Sequence, residues 1–341
     1  MAELIKIAVD AMGGDNAPAE IIKGCIDALS ENDSIHISLV GISEVIEKEL
    51  SSYQYDNERI EIVNATEVIE MAEPPVNAIR KKKDSSIVVG MNLVKNGECQ
   101  AFVSAGSTGA VLVGGQVIVG RIKGVERPPL APLVPTTKGF SLIVDCGANV
   151  DAKPSQLVQF AKMGSLYMKS IMGIENPTVG IVNVGAEEEK GNALVKETFP
   201  LLKKCPDINF TGSIEAREIP FGQCDVIVCD AFVGNVIIKM YEGVSSALVG
   251  VIKESLMSSA KTKIGGALIK TDLKKTLKNF SASEYGGAPL LGLKGLVVKA
   301  HGNSKSYEFK RALMQCVSFA QNNVNEQIKE SLSLSDIQDG N

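Results

Sequence analysis

The amino-acid sequence predicts an α/β fold: a doubly wound, mostly parallel sheet with helices on both faces. Short runs rich in isoleucine and valine alternate with longer stretches of helical periodicity along the whole 341-residue chain. This alternation is typical of strand–helix–strand units, which form parallel sheets. Many of the short runs are apolar throughout instead of alternating with polar residues, as expected for strands that are covered on both faces.

The runs rich in isoleucine and valine define the predicted strands, and the stretches between them define the helices. Strands are predicted at 5–9, 35–40, 60–63, 101–103, 141–144, 178–182, 208–210, 225–228 and 296–299. Helices are predicted at 20–29, 108–119, 154–172, 193–204 and 307–326. Pro18 suits the first turn of the first helix, because proline fixes a helical φ angle and the missing N–H is not needed there.

No internal repeat, low-complexity tract or Pro- or Ser-rich linker divides the chain. Residues 1–330 are therefore predicted to form a single two-lobed α/β domain, which includes an amphipathic helical segment at 244–284. Residues 331–341 are polar and are predicted to form a frayed tail.

Composition narrows the range of functions. The chain has 35 basic and 40 acidic residues, a net charge of −5, and aromatic residues make up only 5% with no tryptophan. Neither property is typical of a nucleic-acid-binding protein. Seven scattered cysteines without a visible secretory leader predict reduced thiols in the cytoplasm. No apolar run approaches the roughly 20 residues of a membrane span, and with only two histidines no metal site is predicted.

A strand-to-helix turn near the N-terminus is the most specific local signal. The first apolar run ends at Asp10, and Gly13, Gly14 and Asp15 follow it. Glycine permits positive φ angles and a close approach of a ligand to the backbone. These four residues are therefore predicted to form one wall of a ligand-binding cleft. Because carboxylates repel anions, Asp10 and Asp15 are expected to organise that cleft and not to hold an anion.

Four further predicted strands end in loops rich in glycine, serine, aspartate or asparagine. Ligands of doubly wound sheets bind beyond the carboxyl ends of the strands, so these loops are candidates for one shared site. Their candidate residues are Ser104, Gly106, Ser107, Thr108, Gly109, Asn149, Asn183, Asp230, Gly234 and Asn235.

The loop 104–110 is the candidate anion site among them. It opens a predicted helix with hydroxyl groups and glycines, and N–H groups at a helix N-terminus attract anions. A plain Ser/Thr N-cap in a tight turn explains the same residues equally well. The chain has no GxGxxG dinucleotide fingerprint here, no Gly-Lys-Ser/Thr P-loop and no GxSxG elbow of serine hydrolases.

Three basic side chains are candidates for charge stabilisation. Lys190 lies in the acidic loop 187–192, Lys239 follows Asn235 by about one helical turn, and His301 follows the last predicted strand. A cation at the rim of such a cleft stabilises a bound anion or a developing oxyanion. The alternatives are a solvated helix start, a surface lysine and a hydrogen-bonded structural histidine, respectively.

The segment 253–280 is strongly basic. It carries seven lysines against Glu254 and Asp272, a local charge of 7 − 2 = +5. Its apolar residues recur mostly at three- or four-residue spacing in two stripes, and Gly265-Gly266 is predicted to be a turn between two helices. A basic amphipathic helix pair suits an anionic membrane surface, and a dimer interface is the alternative. The predicted membrane contacts are Lys263, Ile264, Leu268 and Lys270.

Several motifs, in order, resemble the bacterial phosphate acyltransferase (PlsX) family from residue 7 to about residue 324. They are Asp10-Ala11-Met12-Gly13-Gly14-Asp15, Ser104-Ala105-Gly106-Ser107-Thr108-Gly109-Ala110, Asp145-Cys146-Gly147-Ala148-Asn149, Asn183-Val184-Gly185 with Lys190-Gly191-Asn192, Gly234-Asn235, Tyr285-Gly286-Gly287-Ala288-Pro289-Leu290-Leu291-Gly292 and His301-Gly302. One departure is Ala231, where the family pattern usually reads Asp-Gly-Phe. The resemblance implies a fold similar to that of phosphotransacetylases and the isocitrate-dehydrogenase-like group.

The resemblance also implies a function: transfer of a fatty acyl group from acyl carrier protein to inorganic phosphate, without a cofactor. The acyl phosphate would be used by a membrane glycerol-3-phosphate acyltransferase of the PlsY type in phospholipid (phosphatidic acid) synthesis. The implied protein is a cytoplasmic homodimer, peripherally associated with the inner face of the cell membrane.

The candidate residues suit that chemistry. Phosphate is already an anionic nucleophile and a thiol is a good leaving group, so positioning and oxyanion stabilisation remain to be supplied. Lys190, His301, Asn183 and Asp230 are expected to be catalytic. The loop 104–109 is expected to hold phosphate, with the other cleft residues, Lys239 among them, around it.

Two other classes of function stay open on the sequence. Fold similarity alone allows a nicotinamide-dependent dehydrogenase of the isocitrate type, although its metal-binding and nucleotide signatures are missing. The basic segment allows a non-enzymatic scaffold that docks acyl carrier protein at the membrane, but the glycine-rich cleft would then be superfluous.

Overall fold

The computed structural model describes residues 4–279 and 286–338. The strands are β1 (Ile5–Asp10), β2 (Ile35–Gly41), β3 (Ile60–Asn64), β4 (Ala101–Ser104), β5 (Leu133–Thr136), β6 (Gly139–Val144), β7 (Thr178–Asn183), β8 (Asn209–Glu215), β9 (Val226–Val228), β10 (Ala288–Leu290) and β11 (Leu296–Lys299). The α-helices are α1 (Ala19–Glu31), α2 (Ser43–Leu50), α3 (Pro75–Lys81), α4 (Ser86–Lys95), α5 (Thr108–Gly114), α6 (Pro154–Met172), α7 (Ala193–Lys204), α8 (Ala231–Met257), α9 (Ala260–Asn279), α10 (Ser306–Gln321) and α11 (Val324–Gln338). A π-helical turn, Gly115–Val119, extends α5, and a 3₁₀ helix, Ala216–Phe221, follows β8.

The strands form two sheets, one in each lobe. The first lobe has the strand order β10-β11-β4-β1-β2-β3, and the second has β5-β6-β9-β7-β8. All pairings are parallel except β10 with β11 and β5 with β6, each of which lies at a sheet edge. The predicted mostly parallel α/β fold with helices on both faces is therefore confirmed. The sequence predicted one sheet, because a run of apolar residues does not specify which strand it pairs with.

Successive residues of the central strands pack into different cores. Val103 of β4 belongs to the large core that also holds Val144 of the second sheet and Phe309 of α10, whereas its neighbour Phe102 packs into a core on the opposite face. Ile143 of β6 packs into a third core, on the other face of the second sheet. Because both faces are covered, these strands are apolar throughout, and their polar residues come where the strands end.

Two short strands escaped prediction, and one helix is divided. β5 and β10 contain Pro135 and Pro289, and proline within a run argues against a strand unless it lies at a sheet edge, as both do here.

The predicted helix 307–326 is broken into α10 and α11 at Asn323, whose φ angle is 50°. The helix α11 continues to Gln338, so most of the segment predicted as a frayed tail is helical; 339–341 lie outside the described residues.

The helices α8 and α9 form a hairpin, and its turn differs from the prediction. The chain turns at Ser258-Ser259, where the Ser259 hydroxyl accepts a hydrogen bond from the Thr262 N–H at 3.2 Å. The glycines predicted as the turn lie inside α9, where Gly266 faces Leu256 of α8. The serines end α8 because their side chains satisfy backbone groups there, whereas paired glycines are tolerated within a helix at a cost. The predicted end of the segment, 280–284, and Tyr285 lie outside the described residues.

The hairpin is also the part of the chain with the most exposed apolar surface. An 18-residue window of α8 has a mean hydropathy of 1.3, and none of it is buried. By length and composition this helix could cross a membrane, so the expectation that no run is long enough is wrong by that criterion. Its partner α9 carries six lysines in 20 residues. The apolar face of the hairpin is therefore uncovered in the single chain, and the opposite arm is strongly basic.

Candidate active site

The ends of three neighbouring strands, β11, β4 and β1, bring one group of predicted residues together. Asp10 ends β1 with its carboxylate fully buried. The Ser104 hydroxyl at the end of β4 donates a 2.6 Å hydrogen bond to it, and the Gly106 N–H donates a 2.9 Å bond to the Ser104 Oγ. The Met12 N–H donates to the other carboxylate oxygen at 3.1 Å. Asp10 thus joins the turns after β1 and β4 through hydrogen bonds, and its role in a ligand-binding cleft stays a prediction.

Burial raises the pKa of Asp10, and hydrogen bonds from the Ser104 and Ser86 side chains oppose that rise. The carboxyl group therefore sits in a dry, hydrogen-bonded position beneath the loops.

Glycine is required at Gly13 because the two turns pack against each other. A Cβ atom there would overlap the Asp10 carboxylate and lie 2.7 Å from the Gly106 nitrogen. Gly14 next to it has a φ angle of 104°, which other residues rarely adopt. The Asp15 N–H then donates a 2.8 Å hydrogen bond to the Gly302 carbonyl, so the turn after β1 is joined to the loop after β11.

His301 lies in this third loop, at its surface. Its Nδ1 accepts a 3.2 Å hydrogen bond from the Asn303 N–H, which leaves the other ring nitrogen exposed toward solvent. The Asn16 amide donates to the Asn303 carbonyl at 3.2 Å and fixes the loop against the turn after β1. The imidazole is therefore held at the rim of the site and is accessible to a ligand.

The loop 104–110 begins α5 as predicted. The Ser107 hydroxyl caps the helix by accepting from the Ala110 N–H at 3.5 Å. Gly109 lies against Pro75, where a Cβ atom would overlap the proline ring. The structure thus shows Ser107 as a helix cap and Gly109 in close packing. The anion-binding role of Ser107, Thr108 and Gly109 stays a prediction.

A buried lysine completes this group, and sequence reasoning missed it. Lys299, the last residue of β11, is 8% exposed, and its ammonium donates to the carbonyls of Ala105, at 3.3 Å, and Ala300. Burial lowers its pKa to about 8, Asp10 and Asp15 oppose the fall, and Lys239 of the second lobe adds to it. The sequence feature that could have identified Lys299 is its place at the end of an apolar strand, directly before the loop that carries His301.

A second group lies at the ends of β6 and β9 in the other lobe. The Asp145 carboxylate accepts hydrogen bonds from the backbone N–H groups of Leu130 (2.9 Å), Ala148 (3.3 Å) and Asn149 (2.8 Å), and from the Asn149 amide at 2.7 Å. Burial raises its pKa to about 6, with these bonds opposing the rise. Asn149 is thereby committed to holding the loop, which its amide also joins to the Pro128 carbonyl at 3.0 Å.

Asp230 and Gly234 position the start of α8 against this loop. The Asp230 carboxylate caps the helix by accepting from the N–H groups of Phe232 and Val233, at 2.9 Å and 3.0 Å. A Cβ atom at Gly234 would overlap the Asp145 carbonyl, so only glycine allows this approach. The next residue, Asn235, is exposed. Asp230 is thus an N-cap in the single chain, and its catalytic role stays a prediction.

Asn183 and Lys190 lie in the loop after β7. The Asn183 amide donates to the Lys190 carbonyl at 3.3 Å and to the Ser213 hydroxyl at 3.1 Å. The Lys190 ammonium is half-exposed and pairs with Glu187 at 2.8 Å, which raises the pKa of Lys190. Lys190 is therefore at the rim and charged, but it is not in contact with the loop 104–110 of the first lobe.

An apolar cavity of about 340 Å³ opens beside these residues. Its polar lining is Asn183 at the end of β7, Asn192 at the N-cap of α7 and Asp230 at the N-cap of α8. The remainder is mostly aliphatic and comes from β7, α7 and the first turns of α8. The lining there includes Val184, Leu194, Val195, Phe232, Val233, Val236 and Ile237. This arrangement provides one polar end and an apolar remainder.

Lys239 of the second lobe affects the strand-end residues of the first lobe through its charge. Its ammonium pairs with Glu242 at 2.9 Å and is mostly exposed, yet it lies near enough to Lys299 to lower the pKa of that residue.

The predicted membrane contacts are exposed on α9 of the hairpin, with Ile264 at 65% and Leu268 at 80% exposure. Lys263 and Lys270 are exposed beside them. Within the described residues, no three His, Cys, Asp or Glu side chains are grouped to hold a metal ion.

Comparison with known proteins decides the family. A family model described as "Fatty acid synthesis protein" matches residues 5–327. The phosphate acyltransferases of Clostridium beijerinckii and Clostridium novyi are 52% and 50% identical to this chain; both matches cover 96% of it, and 99% and 98% of the relatives. The chain belongs to the phosphate acyltransferase family. The resemblance read from the ordered motifs is thereby confirmed, and the protein is an acyltransferase.

Solved structures outside this family share its fold. A phosphotransacetylase from Streptococcus pyogenes superimposes with a TM-score of 0.63 at 17% identity, covering 94% of this chain and 95% of that one. A branched-chain phosphotransacylase from Enterococcus faecalis V583 gives a TM-score of 0.56 at 15% identity, covering 92% and 98%. The phosphotransacetylase-like architecture is therefore shown. Membership of an acyltransferase family favours an enzyme of this class over the dehydrogenase and the scaffold.

Proposed function

We propose that this protein transfers a fatty acyl group from the thioester of acyl carrier protein to inorganic phosphate. The observation that carries the proposal is the convergence of the turns after β1, β4 and β11, where backbone N–H groups, hydroxyls and a buried cation meet. Family membership supports the reaction class, and the loops account for an anionic acceptor. The rate enhancement then comes from placing two substrates together and stabilising charge, not from an activated side-chain nucleophile.

The reaction needs one bond to form and one to break. A phosphate oxygen attacks the thioester carbonyl carbon, the C–S bond breaks, and the electron pair leaves on the sulfur, which then takes up a proton. We assign phosphate to the loop 104–109 and the charge developing on the carbonyl oxygen to Lys190 or His301. Both side chains are exposed at the rim, as a group that meets a carrier-bound substrate must be.

The apolar cavity of the second lobe supports a long acyl chain as the group transferred. Its polar residues are Asn183 at the end of β7 and the helix caps Asn192 and Asp230, where a thioester would sit, and the rest of the lining is mostly aliphatic. Burying each methylene of a chain contributes about 0.8 kcal/mol, so a cavity of this size can select for chain length. The acyl phosphate released is a mixed anhydride, which we assign as the acyl donor for a glycerol-3-phosphate acyltransferase in phospholipid synthesis.

The direct test mixes purified protein with an acyl carrier protein thioester and follows free thiol with and without phosphate. Thiol release should require phosphate and should yield one acyl phosphate per thiol. Release at the same rate without phosphate would show a thioesterase and end the proposal. An unchanged absorbance with added nicotinamide cofactor is expected alongside, because no dinucleotide fingerprint is present.

The role of Lys190 is tested by Lys190→Ala, with Lys203→Ala as the matched control. Lys203 also pairs with a glutamate of the same loop, Glu188, at 2.6 Å and is similarly exposed. Loss of one group that stabilises the developing charge should lower turnover by about 100-fold, whereas the control should keep full activity. Full phosphate-dependent turnover in Lys190→Ala would remove this residue from the catalytic set.

The α8–α9 hairpin supports two further assignments: a homodimer and contact with the inner face of the cell membrane. The exposed apolar residues of α8, such as Val244 and Leu248, need a cover, and a second copy of the hairpin provides one. On α9, the exposed Ile264 and Leu268 lie among lysines, a pattern that suits an anionic lipid surface. Such a position would deliver acyl phosphate to a membrane enzyme.

Liposome binding separates these two roles. Ile264→Glu with Leu268→Glu should abolish binding to anionic vesicles and leave the sedimentation coefficient unchanged, because only the lipid-facing stripe is altered. Val244→Glu should instead shift the protein toward monomer. Unchanged vesicle binding in the double variant would assign the α9 stripe to packing.

A further inference from the structure

We propose that Lys299 is a positioning residue of the anion site, joining the ends of β4 and β11 and placing a buried positive charge beneath the loop 104–109. This inference rests on the proposed function, because the anion it serves is the phosphate acceptor. Lys299 is not among the site residues predicted from the sequence.

The first step is geometric. The Lys299 ammonium donates to the carbonyl of Ala105, the residue after β4, at 3.3 Å, and to the carbonyl of Ala300, the residue after β11. These two carbonyls lead directly into the loop with Gly106 and the loop with His301. One side chain therefore fixes the distance between the loop that would hold phosphate and the loop that carries a candidate catalytic imidazole.

The second step concerns the unused capacity of that ammonium. It has three N–H donors, and two of them reach backbone carbonyls. A buried cation is costly unless its charge is compensated, and no carboxylate of the described chain makes an ion pair with Lys299. One N–H donor is thus left for an anion bound in the loop above.

The third step considers every charged group that faces Lys299. Asp10 acts from the end of β1 and Asp15 from the turn that follows, and both favour the charged lysine. Lys239 acts from α8 of the other lobe and disfavours it. An anion between Lys299 and Lys239 would relieve that repulsion. Burial, the largest effect, lowers the pKa of Lys299 to about 8, so the charge is present at neutral pH and is lost above about pH 8.

The test compares wild type with Lys299→Met, Lys299→Arg and the control Lys294→Met. Lys294 is an exposed lysine five residues earlier, in the connection between β10 and β11. The readout is the rise in Tm on adding inorganic phosphate without any acyl donor, which gives a phosphate affinity independent of turnover. Wild type and Lys294→Met should bind phosphate alike, and Lys299→Met should bind it at least 10-fold more weakly. Equal affinity in a folded Lys299→Met overturns the inference.

The pH dependence provides a second readout that a merely structural role would not change. Phosphate affinity of wild type should weaken as pH rises through about 8, because Lys299 loses its proton. Lys299→Arg keeps its charge and should lack that weakening, and this variant decides the matter if Lys299→Met does not fold. The same weakening in Lys299→Arg overturns the inference. Phosphate-independent thiol release by wild type would instead overturn the proposed function and leave the phosphate-binding result to stand on its own.

Discussion

The two lobes end their central strands in different ways. In the first, Asp10, Ser104 and Lys299 are buried beneath glycine turns, and their hydrogen bonds run from one strand end to the next. In the second, Asp145 and Asp230 hold their own loops and a helix start, and an apolar cavity opens beside them. These features are the basis on which we assign the phosphate to the first lobe and the acyl chain to the second.

This difference shows how one reaction can be divided between two similar sheets. A phosphate and an acyl chain have opposite solvation requirements, and a single loop cluster cannot meet both. In the reaction that we propose, the charge and N–H donors of the first lobe bind phosphate, and the apolar cavity of the second binds the acyl chain. The lobes share one continuous core, so the two sites are held at a fixed separation.

The largest expected effect comes from Gly13→Ala in the first lobe. Gly13 has no positive φ angle, so alanine is conformationally allowed, and the damage comes only from overlap with Asp10 and Gly106. A displacement of about 1 Å in a catalytic loop costs roughly 100-fold in rate, and we expect that loss in kcat/KM. The control is Gly243→Ala, at a glycine with nothing within 4 Å of the added Cβ. Equal activities of the two variants would contradict the assignment of this turn to the site.

A smaller and selective effect is expected in the second lobe. Val195 of α7 lines the apolar cavity, and Val195→Phe should shorten it. Losing room for two methylenes costs about 1.6 kcal/mol, so the preference for a long over a short acyl chain should fall by about 10-fold. Leu201→Phe, at a partly exposed position of the same helix, is the control. An unchanged preference in Val195→Phe would place the chain elsewhere.

The smallest effect is on stability and concerns the buried Asp145 carboxylate of the second lobe. Asp145 has a pKa of about 6 when folded against 3.8 as its ordinary value. The unfolded chain is thus ionised at pH 5 while the folded chain keeps its proton, so wild-type stability falls as pH rises. Between pH 5 and pH 7 this fall is about 1 kcal/mol, and Asp145→Asn should lack it in urea unfolding. Because the pKa of Asp10 is raised as well, the comparison is with the full wild-type fall. The exposed Asp33→Asn serves as the control, and a fall in Asp145→Asn as large as that of wild type would contradict the assignment.

Much of this arrangement follows from the sequence. Apolar runs that stop at Asp10, Ser104 and Asn183 located the strand ends within about a residue, because covered strands tolerate polar groups only at their termini. The glycines after Asp10 were predicted to permit close approach of a ligand to the backbone. The structure shows close packing within the protein instead, of Gly13 against the turn after β4 and of Gly234 against the Asp145 carbonyl. The ordered motifs identified the family.

The sequence did not show which strands pair with each other or which distant residues come into contact. The sequence predicted two lobes, but an apolar run does not show which strands it pairs with, so the division of the strands into two sheets was not predicted. Lys299 reads as a strand-ending surface lysine, and only the fold reveals the carbonyls of Ala105 and Ala300 around it. The hairpin turn was misplaced because Gly265-Gly266 is the stronger local signal, while packing against Leu256 keeps those glycines helical.

The division of substrates between the lobes is tested most directly by a crystal structure with a long-chain β-ketophosphonate, a stable analogue of the acyl phosphate. Its phosphonate should lie against the loop 104–109 above Lys299, and its chain should enter the cavity between β7, α7 and α8. A phosphonate bound at Lys190 with the loop 104–109 empty, or a chain lying outside that cavity, would contradict the assignment.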